Sequence, residues 1–441
     1  MAAKIGTVPH ERLRDSYHSP LTTPMHRWSL FAILLLTVVI RGGVIVLTPG
    51  ALTEDPDAYR ELAHNVLEHG VLGQGRVPSA YRPPLYPLLL VPCYALGDAA
   101  GRWAVGVLHV AMGVATVGLV WWLGRRAGLG LAAAGAAVLV ACDPILLVQS
   151  AEVMTETPAT LLAVAALAAQ VHAAGRPSPA RGLVAGAVLG LAVLCRPTFL
   201  PWAAVSVVAL AWLRRGRPGG LAAALAAAGA LVLVLLPWVV RNQVHFGKPI
   251  ATTTHGGYTV YLGNNPSFYE HLRRGPRDRV WEAEAFDAAW SRRAPRRTPA
   301  EELAADRLAY AKAWESARRE PAMFVYSSLV RVAWLWRPLP HQLAPDEGPL
   351  RRTGRLIVAA WYLAVYAAAV VAVVRLRRRR GAFRRRRLML WLCGGLLLAT
   401  VTAVHSVYWS NMRMRAPLMP VVALAAAAAC TVTYPTRPTR S

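Results

Sequence analysis

A long apolar run that ends in acidic residues decides the fold of this chain. Residues 28–48 read WSLFAILLLTVVIRGGVIVLT, and residues 53–59, shortly after the run, read TEDPDAY. A helix needs about 20 apolar residues to cross a bilayer, and this run has that length. The carboxylates of Asp55 and Asp57 therefore follow a predicted membrane-spanning helix, at the bilayer surface.

Apolar runs of similar length recur along the 441 residues, of which 55% are hydrophobic and 16% are charged. The predicted spans are residues 28–48, 102–123, 131–149, 157–174, 181–195, 199–213, 221–240, 353–374, 388–409 and 416–433. Many of these runs are rich in Ala and Gly, which let helices pack closely in a membrane. The predicted fold class is all-α: a polytopic transmembrane helical bundle of about ten spans with extracytoplasmic surface helices.

The net charge of +26 is concentrated beside the apolar runs. Nine arginines lie within residues 375–387, and smaller basic clusters lie at residues 125–126 and 214–217. The positive-inside rule places such clusters in cytoplasmic loops, where anionic lipid headgroups are sufficient partners. Membrane lipids are therefore the expected partners of these clusters, and nucleic acid is not.

This rule also predicts how the chain crosses the membrane. With the basic N-terminal tail inside, residues 49–101 and 241–352 become outer loops. The predicted organisation is one transmembrane domain, residues 1–433, followed by a cytoplasmic tail, residues 434–441. We expect a multi-pass protein of the cell membrane and cell envelope.

Shorter helices are predicted in the outer loops. Residues 85–96 and 322–336 are apolar but too short to span, so we expect both to lie at the membrane surface. Residues 298–301 read TPAE, a capping box with Pro at the first helical position. This motif predicts a helix that ends near Arg319.

Carboxylates near the predicted outer ends of spans are candidates for chemistry. Asp55 and Asp57 precede a predicted helix over residues 58–69, and one of them could cap this helix while the other reacts. Glu152 and Glu156 are four residues apart, which places them on one face of a helix. Ordinary helix-capping or solvent-facing acids would show the same pattern.

Isolated arginines occur at predicted outer ends, where the positive-inside rule expects few basic residues. They are Arg41, Arg82, Arg196, Arg241, Arg413 and Arg415. Arginine matches the geometry of phosphate bidentately, so this set favours a phosphate-binding site. Each arginine could instead snorkel or pair with an acid.

Residues 252–266, TTTHGGYTVYLGNNP, form a polar stretch rich in glycine. The glycines allow tight turns, and the hydroxyl and amide groups suit contact with a sugar or a headgroup. His255 and Asn264 are its candidate substrate-binding residues, and His255 is also a candidate catalytic group. An ordinary loop would have a similar composition.

These segments, in order along the chain, resemble the GT-C superfamily of membrane glycosyltransferases. The resemblance is to the branch of dolichyl-phosphate-mannose protein mannosyltransferases and aminoarabinose transferases, and it extends over most of the chain. Its landmarks are Asp55, Tyr59, Arg82-Pro83-Pro84-Leu85-Tyr86-Pro87, Thr155-Glu156-Thr157, Cys195-Arg196-Pro197, Pro237-Trp238, Arg241-Asn242, Gly256-Gly257, Gly263-Asn264-Asn265-Pro266 and Arg413-Met414-Arg415-Ala416-Pro417.

The resemblance implies transfer of a sugar from a polyprenyl-phosphate donor to an acceptor hydroxyl of a lipid, glycan or protein on the outer face. Asp55 is favoured as the general base because it matches the family's acid four residues before Tyr59. Asp57 competes for the same role, and Glu156 is the third catalytic candidate, as a supporting acid. The candidate substrate-binding residues are Tyr59, Arg82, Arg196, Arg241, His255, Asn264, Arg413 and Arg415. A general base with direct displacement of phosphate implies inversion at the anomeric carbon.

Two questions stay open at this point. Clustered acids could hold a divalent cation, but no metal-ligand set is complete, so no cofactor is assigned. A lipid-linked sugar transporter or flippase, or a catalytically inactive scaffold of the same fold, would share several of these features. The acid-bearing first loop and the lack of an inverted repeat favour the enzyme over the transporter.

Overall fold

The computed structural model describes residues 24–216, 218–275, 281–342, 347–378 and 385–431. The predicted cytoplasmic tail (residues 434–441), most of the N-terminal tail and the centre of the arginine cluster (residues 379–384) lie outside the described residues.

The first part of the chain is a series of helices with one short hairpin. The helices are α1 (Pro24–Leu47), α2 (Tyr59–His69), α3 (Leu85–Tyr94), α4 (Asp98–Arg126), α5 (Ala132–Ala141), α6 (Pro144–Val148), α7 (Glu156–Gly175), α8 (Pro179–Cys195), α9 (Leu200–Arg214) and α10 (Gly220–Phe246). Strands β1 (Gly73–Gln74) and β2 (Val77–Pro78) pair antiparallel between α2 and α3. Short 3-10 helices cover Pro49–Leu52 and Pro197–Phe199.

The second part begins with five helices that the sequence places between spans. They are α11 (Gly256–Gly263), α12 (Pro266–Arg274), α13 (Glu284–Arg293), α14 (Pro299–Arg319) and α15 (Pro321–Trp336). The chain continues with α16 (Pro349–Arg378), α17 (Arg385–Val407), a 3-10 helix over Met412–Leu418 and α18 (Met419–Ala428).

The predicted fold class, an all-α multi-pass membrane protein, is confirmed. Among the described residues, six helices are long and apolar enough to cross a membrane: α1, α4, α7, α10, α16 and α17. Shorter apolar helices coincide with further predicted spans at α5, α8 and α9, and the predicted segment 85–96 contains the ten-residue α3.

Two predicted spans are not continuous α-helices. The span predicted over residues 131–149 is divided, because Pro144 starts α6 and the Asp143 side chain accepts a hydrogen bond from the Leu146 backbone N. The span predicted over residues 416–433 begins inside a 3-10 helix, and α18 follows for only ten residues. Prolines explain both corrections, since proline lacks the amide proton that a helix interior needs.

Small residues bring apolar helices together, as their composition predicts. A Cβ atom on Gly182 would lie 2.0 Å from the Ala223 carbonyl oxygen, and one on Gly186 would lie 1.9 Å from that of Ala227. Helices α8 and α10 are therefore in backbone contact at these glycines, a packing typical of membrane helices.

The capping-box helix is confirmed, whereas the turn-rich interpretation of residues 252–266 is wrong. The Thr298 hydroxyl accepts a hydrogen bond from the Glu301 backbone N at 3.2 Å, and α14 ends at Arg319. Residues 256–263 form a helix instead of turns. A Cβ on Gly257 would lie 2.2 Å from the Asp306 carbonyl oxygen, so this glycine allows α11 to pack against α14.

Candidate active site

The aspartates that follow α1 have different surroundings. The Asp55 Oδ2 atom accepts a hydrogen bond from the Glu61 backbone N at 3.0 Å, which caps the first turn of α2. Ala58, directly before α2, has φ 60° and ψ 29°, a left-handed conformation that is uncommon for alanine. Asp57, in contrast, lines a cavity of about 730 Å³, and Asp55 is not among the lining residues of this cavity.

A chain of ion pairs crosses this cavity. Arg82 Nη2 lies 2.9 Å from Asp57 Oδ1, and Arg413 Nη2 lies 3.6 Å from Asp57 Oδ2. Arg413 Nε and Arg196 Nη1 each lie 3.5 Å from Glu156 Oε1. Two carboxylates thus alternate with three guanidinium groups, which leaves one net positive charge in the chain of ion pairs.

Distant parts of the sequence supply these five side chains. Glu156 is the first residue of α7, Arg196 follows the last residue of α8, and Arg413 lies in the 3-10 helix before α18. Arg82 lies in the turn before α3, and Asp57 lies just before α2. The ends of several helices therefore meet at one place.

Several polar atoms of this cluster are buried without a hydrogen-bond partner. The Glu156 side chain is 1% exposed, and its Oε2 atom has no partner among the described residues. The same holds for Arg196 Nη1 and Arg413 Nε, which make ion-pair contacts without hydrogen-bond geometry. Buried polar atoms are nearly always hydrogen-bonded in native proteins, and each of these atoms can still take a hydrogen-bond partner.

Aromatic rings form another wall of the cavity. The His255 ring centroid lies 4.3 Å from that of Tyr81 and 5.4 Å from that of Tyr258. The Arg296 guanidinium lies 3.8 Å from the Tyr81 ring centroid. Burial lowers the pKa of His255 well below its usual value, and the nearby Arg82 and Arg296 act in the same direction. The imidazole is therefore neutral at physiological pH, with its ring available for stacking and hydrogen bonding.

The predicted site residues divide into two groups. Those that line the cavity are Asp57, Tyr59, Arg82, Glu156, Arg196, His255 and Arg413. Asp55, Arg241, Asn264 and Arg415 are not among the lining residues. Burial raises the pKa of Tyr59, so its phenol stays protonated and available as a hydrogen-bond donor.

Arg241 stabilises the hairpin instead of lining the cavity. Its guanidinium donates to the Ser79 carbonyl at 2.9 Å and to the Leu72 carbonyl at 2.8 Å. Both carbonyls flank the β1–β2 hairpin, so the arginine fixes the hairpin to the end of α10. The structure thus gives Arg241 a structural contact and does not place it among the lining residues of the cavity, where the sequence predicts it.

Asn264 and Arg415 likewise bond to the backbone. Asn264 Nδ2 donates to the Val407 carbonyl at 2.9 Å, and Arg415 Nη1 donates to the carbonyls of Leu335 at 3.0 Å and Arg337 at 2.6 Å. Both side chains are buried away from the cavity and join elements that are distant in sequence. Arg41 behaves in the same way, because its Nη1 donates to the Leu146 carbonyl at 2.8 Å.

Other lining residues were not predicted from the sequence. They include Tyr81, Asp287, Arg296, His405, Tyr408 and Trp409. Tyr81 directly precedes the Arg82-Pro83-Pro84 motif, and this position was a usable signal. Arg296 lies among other arginines between α13 and α14, and nothing in its local sequence distinguishes it.

The carboxylates of the cavity do not form a protein ligand set for a cation. Among the described residues, no group of three or more His, Cys, Asp or Glu side chains is arranged to hold a metal ion. Asp57 and Glu156 are both paired with arginines, whose positive charge opposes a cation at the same oxygens. No metal is therefore assigned a role in the reaction proposed for this site.

Comparison with known proteins agrees with this fold. Residues 81–240 match the family described as dolichyl-phosphate-mannose-protein mannosyltransferase, a segment that includes Arg82, Glu156 and Arg196. No curated protein matches the chain in sequence.

Solved structures of an archaeal oligosaccharyltransferase share the fold, and a further membrane protein gives a weaker match. The archaeal oligosaccharyltransferase AglB from Archaeoglobus fulgidus, in complex with an inhibitory peptide and a dolichol-phosphate, has a TM-score of 0.54 and 18% sequence identity, covering 93% of this chain and 50% of that one. The Archaeoglobus fulgidus oligosaccharyltransferase tethered with an acceptor peptide has a TM-score of 0.54 and 17% identity, with 93% and 50% covered. ArnT from Cupriavidus metallidurans bound to undecaprenyl phosphate has a TM-score of 0.41 and 16% identity, with 91% and 77% covered.

This chain spans about half the length of the oligosaccharyltransferase that it matches. The resemblance to GT-C membrane glycosyltransferases predicted from the sequence is confirmed, in sequence over residues 81–240 and in fold over 93% of the chain.

Proposed function

We propose that this protein is an integral-membrane glycosyltransferase that moves a sugar from a polyprenyl-phosphate donor to an acceptor hydroxyl, with inversion at the anomeric carbon. The observation that carries this proposal is the chain of ion pairs through Asp57, Arg413 and Glu156 at the wall of the cavity. It combines a carboxylate that can accept a proton with guanidinium groups that can bind phosphate.

The cavity suits a donor that is part lipid and part sugar phosphate. Its lining includes Leu200 and Val404 from apolar helices, together with Arg196 and His255. A polyprenyl chain fits the apolar side, and the net positive charge of the cluster complements a phosphate. The solved oligosaccharyltransferase of the same fold is in complex with a dolichol-phosphate, a lipid phosphate of the class proposed here.

The proposed reaction is one displacement. Asp57 accepts the proton of the acceptor hydroxyl while the acceptor oxygen forms a bond to the anomeric carbon. The bond between this carbon and the phosphate oxygen breaks, and the polyprenyl phosphate leaves with the electron pair. Attack from the face opposite the leaving group inverts the anomeric configuration.

The arginines replace the general acid that a poorer leaving group would need. Arg196 and Arg413 lie beside Glu156, which holds both guanidinium groups at one place in the cavity. Charge that develops on the phosphate is stabilised by such preorganised donors. Glu156 is thus a positioning residue, and Asp57 is preferred to Asp55 as the base because Asp55 caps α2.

We also propose that the cavity faces the outer side of the cell membrane. The supporting observation is the placement of basic clusters at residues 125–126 and 214–217, which the positive-inside rule assigns to the cytoplasm. The transmembrane domain over residues 1–433 then presents residues 49–101 and 241–352 outside.

The test is incubation of the purified protein with labelled polyprenyl-phosphate sugars and a panel of hydroxyl acceptors. We expect release of unlabelled polyprenyl phosphate together with a glycosylated acceptor whose new linkage is inverted. Movement of the intact lipid-linked sugar across vesicles without cleavage would contradict the proposal and indicate a transporter.

A further inference from the structure

A second groove, of about 540 Å³, lies directly beside the cavity and shares a wall with it. Asp57, Tyr81, Arg82 and Arg296 line both spaces. Asp57 therefore lines both the cavity and the groove. A group-transfer enzyme with two substrates needs this arrangement, because the general base must reach an acceptor that enters separately from the donor.

The groove is built without any apolar helix. Its lining residues fall within residues 56–62, 73–82 and 291–302, whereas the apolar helices of the described chain all lie outside these ranges. The cavity, in contrast, is lined in part by Leu200 and Val404 from apolar helices. Residues of apolar helices therefore line the cavity, and none lines the groove.

The groove carries the polar groups of a carbohydrate-binding surface. Exposed Glu61, Gln74 and Arg297 provide a carboxylate, an amide and a guanidinium group, and Tyr81 adds an aromatic ring. These groups donate to and accept from hydroxyls. Among the described lining residues, Val77, at 36% exposed, is the one large aliphatic side chain at the surface.

The lining of the groove includes a buried carboxylate whose hydrogen bonds come from the protein itself. The buried Glu302 accepts hydrogen bonds from the Ser79 hydroxyl at 2.7 Å, from the Ala80 backbone N at 2.9 Å and from the Thr254 hydroxyl. This carboxylate therefore holds the hairpin segment against α14, which gives the groove a preformed shape.

Side-chain hydrogen bonds hold the backbone around the hairpin beside the groove. Asn65 Nδ2 donates to the Val71 and Gly75 carbonyls at 2.7 Å and 3.0 Å, and Arg241 donates to the Leu72 and Ser79 carbonyls. These contacts fix the backbone on both sides of the two strands and at the turn between them.

We propose that this groove is the acceptor site and that the acceptor is a carbohydrate. One of its hydroxyl groups contacts Asp57, which lines both the groove and the cavity. The assignment rests on the proposed glycosyl transfer. The sugar hydroxyl gives its proton to Asp57, and the oxygen of that hydroxyl bonds to the anomeric carbon of the donor. The bond between this carbon and the phosphate oxygen breaks, and polyprenyl phosphate departs.

The test combines groove variants with separate measurements on the two substrates. Gln74→Ala and Glu61→Gln alter the groove without touching the cavity, since neither residue lines it. Arg307→Ala and Glu68→Gln are matched controls at exposed positions of α14 and α2. The acceptor KM is measured with soluble neutral di- and trisaccharides, and donor affinity is measured by equilibrium binding of polyprenyl phosphate.

We expect parent protein to glycosylate the soluble saccharides and each groove variant to raise the acceptor KM about tenfold, the effect of one lost hydrogen bond to a charged or polar group. Donor affinity and the two controls should match the parent. An acceptor KM equal to that of the parent in both groove variants would overturn the acceptor assignment while leaving glycosyl transfer intact. Transfer only to a lipid alcohol or a serine peptide would do the same. A parent that neither binds nor cleaves any polyprenyl-phosphate sugar would overturn the proposed function itself, and the acceptor assignment with it.

Discussion

Arginines of the same apparent kind have two different uses in this protein. Arg196 and Arg413 reach the cavity beside Glu156, whereas Arg241 and Arg415 donate to backbone carbonyls. All four lie near predicted outer ends of spans, where basic residues are expected to be few. An unusual arginine thus marks an unusual environment, and its partner decides whether that environment is a binding site or a structural contact.

The cavity arginines should determine affinity for the donor phosphate. We expect Arg196→Ala and Arg413→Ala each to weaken binding of polyprenyl phosphate by roughly 1.5–3 kcal/mol, because a charged hydrogen bond is lost. Lysine at either position should give a smaller defect, since it keeps the charge and loses the planar fork. Binding is measured against the neutral polyprenol, with Arg307→Ala as the exposed control.

A different pattern would remove these arginines from the site. If both alanine variants bind polyprenyl phosphate as tightly as the parent, Arg196 and Arg413 serve only to neutralise Glu156. The donor phosphate would then have to bind elsewhere on the protein.

At this scale the sequence predicts which residue types gather at the site but not their orientation. Arg82, Glu156, Arg196 and His255 were predicted from charge placement and resemblance, and all of them line the cavity. Arg296 was missed, since its contact with the Tyr81 ring joins positions that are over 200 residues apart. Contacts of that kind follow from packing and leave no local pattern.

Helix ends and short helices position the site at the scale of elements. α11 packs against α14 so closely that the Gly257 backbone N donates to Asp306 Oδ1 at 2.7 Å. This contact holds His255, which directly precedes α11, at the wall of the cavity. The sequence predicted α14 through its capping box but not α11, because tertiary packing against α14 outweighs the low helix propensity of glycine.

The contact between α11 and α14 should make stability depend on pH. Burial raises the pKa of Asp306 to about 6 from its ordinary value of 3.8. Above the raised pKa the folded protein holds a carboxylate that is less favourable than in the unfolded chain. Between these two values the folded state binds a proton that the unfolded chain does not, so stability rises as pH falls through this window.

Asp306→Asn should remove this pH dependence. The amide oxygen can still accept from Gly257, and no charge is buried. We expect the variant to melt higher than the parent by roughly 2–4 °C at about pH 7.5, with the difference shrinking as the pH falls to about 4. Melting temperatures of the detergent-solubilised proteins across this range check the prediction, and a constant difference at every pH would contradict it.

The whole molecule combines a bundle of membrane helices with a set of polar connecting segments. Long apolar runs predicted the bundle because a bilayer imposes a minimum helix length. They did not predict the break at Asp143 and Pro144 or the 3-10 start at Met412–Leu418. These breaks depend on the positions of individual prolines and capping side chains. Hydropathy, averaged over a long window of residues, does not detect such positions.

Topology is the property of the whole molecule that can be tested independently of chemistry. Ser267 in α12 and Ala180 in α8 are both exposed, and the basic clusters place them on opposite sides of the membrane. In a background lacking the five native cysteines, we expect Ser267→Cys to react with an impermeant thiol reagent from outside the cell. Ala180→Cys should react only after the cells are opened, and labelling of both from outside would show that the threading is wrong.

The central claim is that the Asp57 carboxylate is the general base of sugar transfer in the cavity. The most direct measurement is single-turnover transfer from a labelled polyprenyl-phosphate sugar by the parent, Asp57→Asn and Asp55→Asn, with donor binding measured in parallel. Loss of a general base predicts a rate about 100- to 10,000-fold lower for Asp57→Asn with donor binding retained. Asp55→Asn should keep near-parent turnover, since asparagine also caps helices. Near-parent turnover in Asp57→Asn, or a large loss confined to Asp55→Asn, would contradict the account.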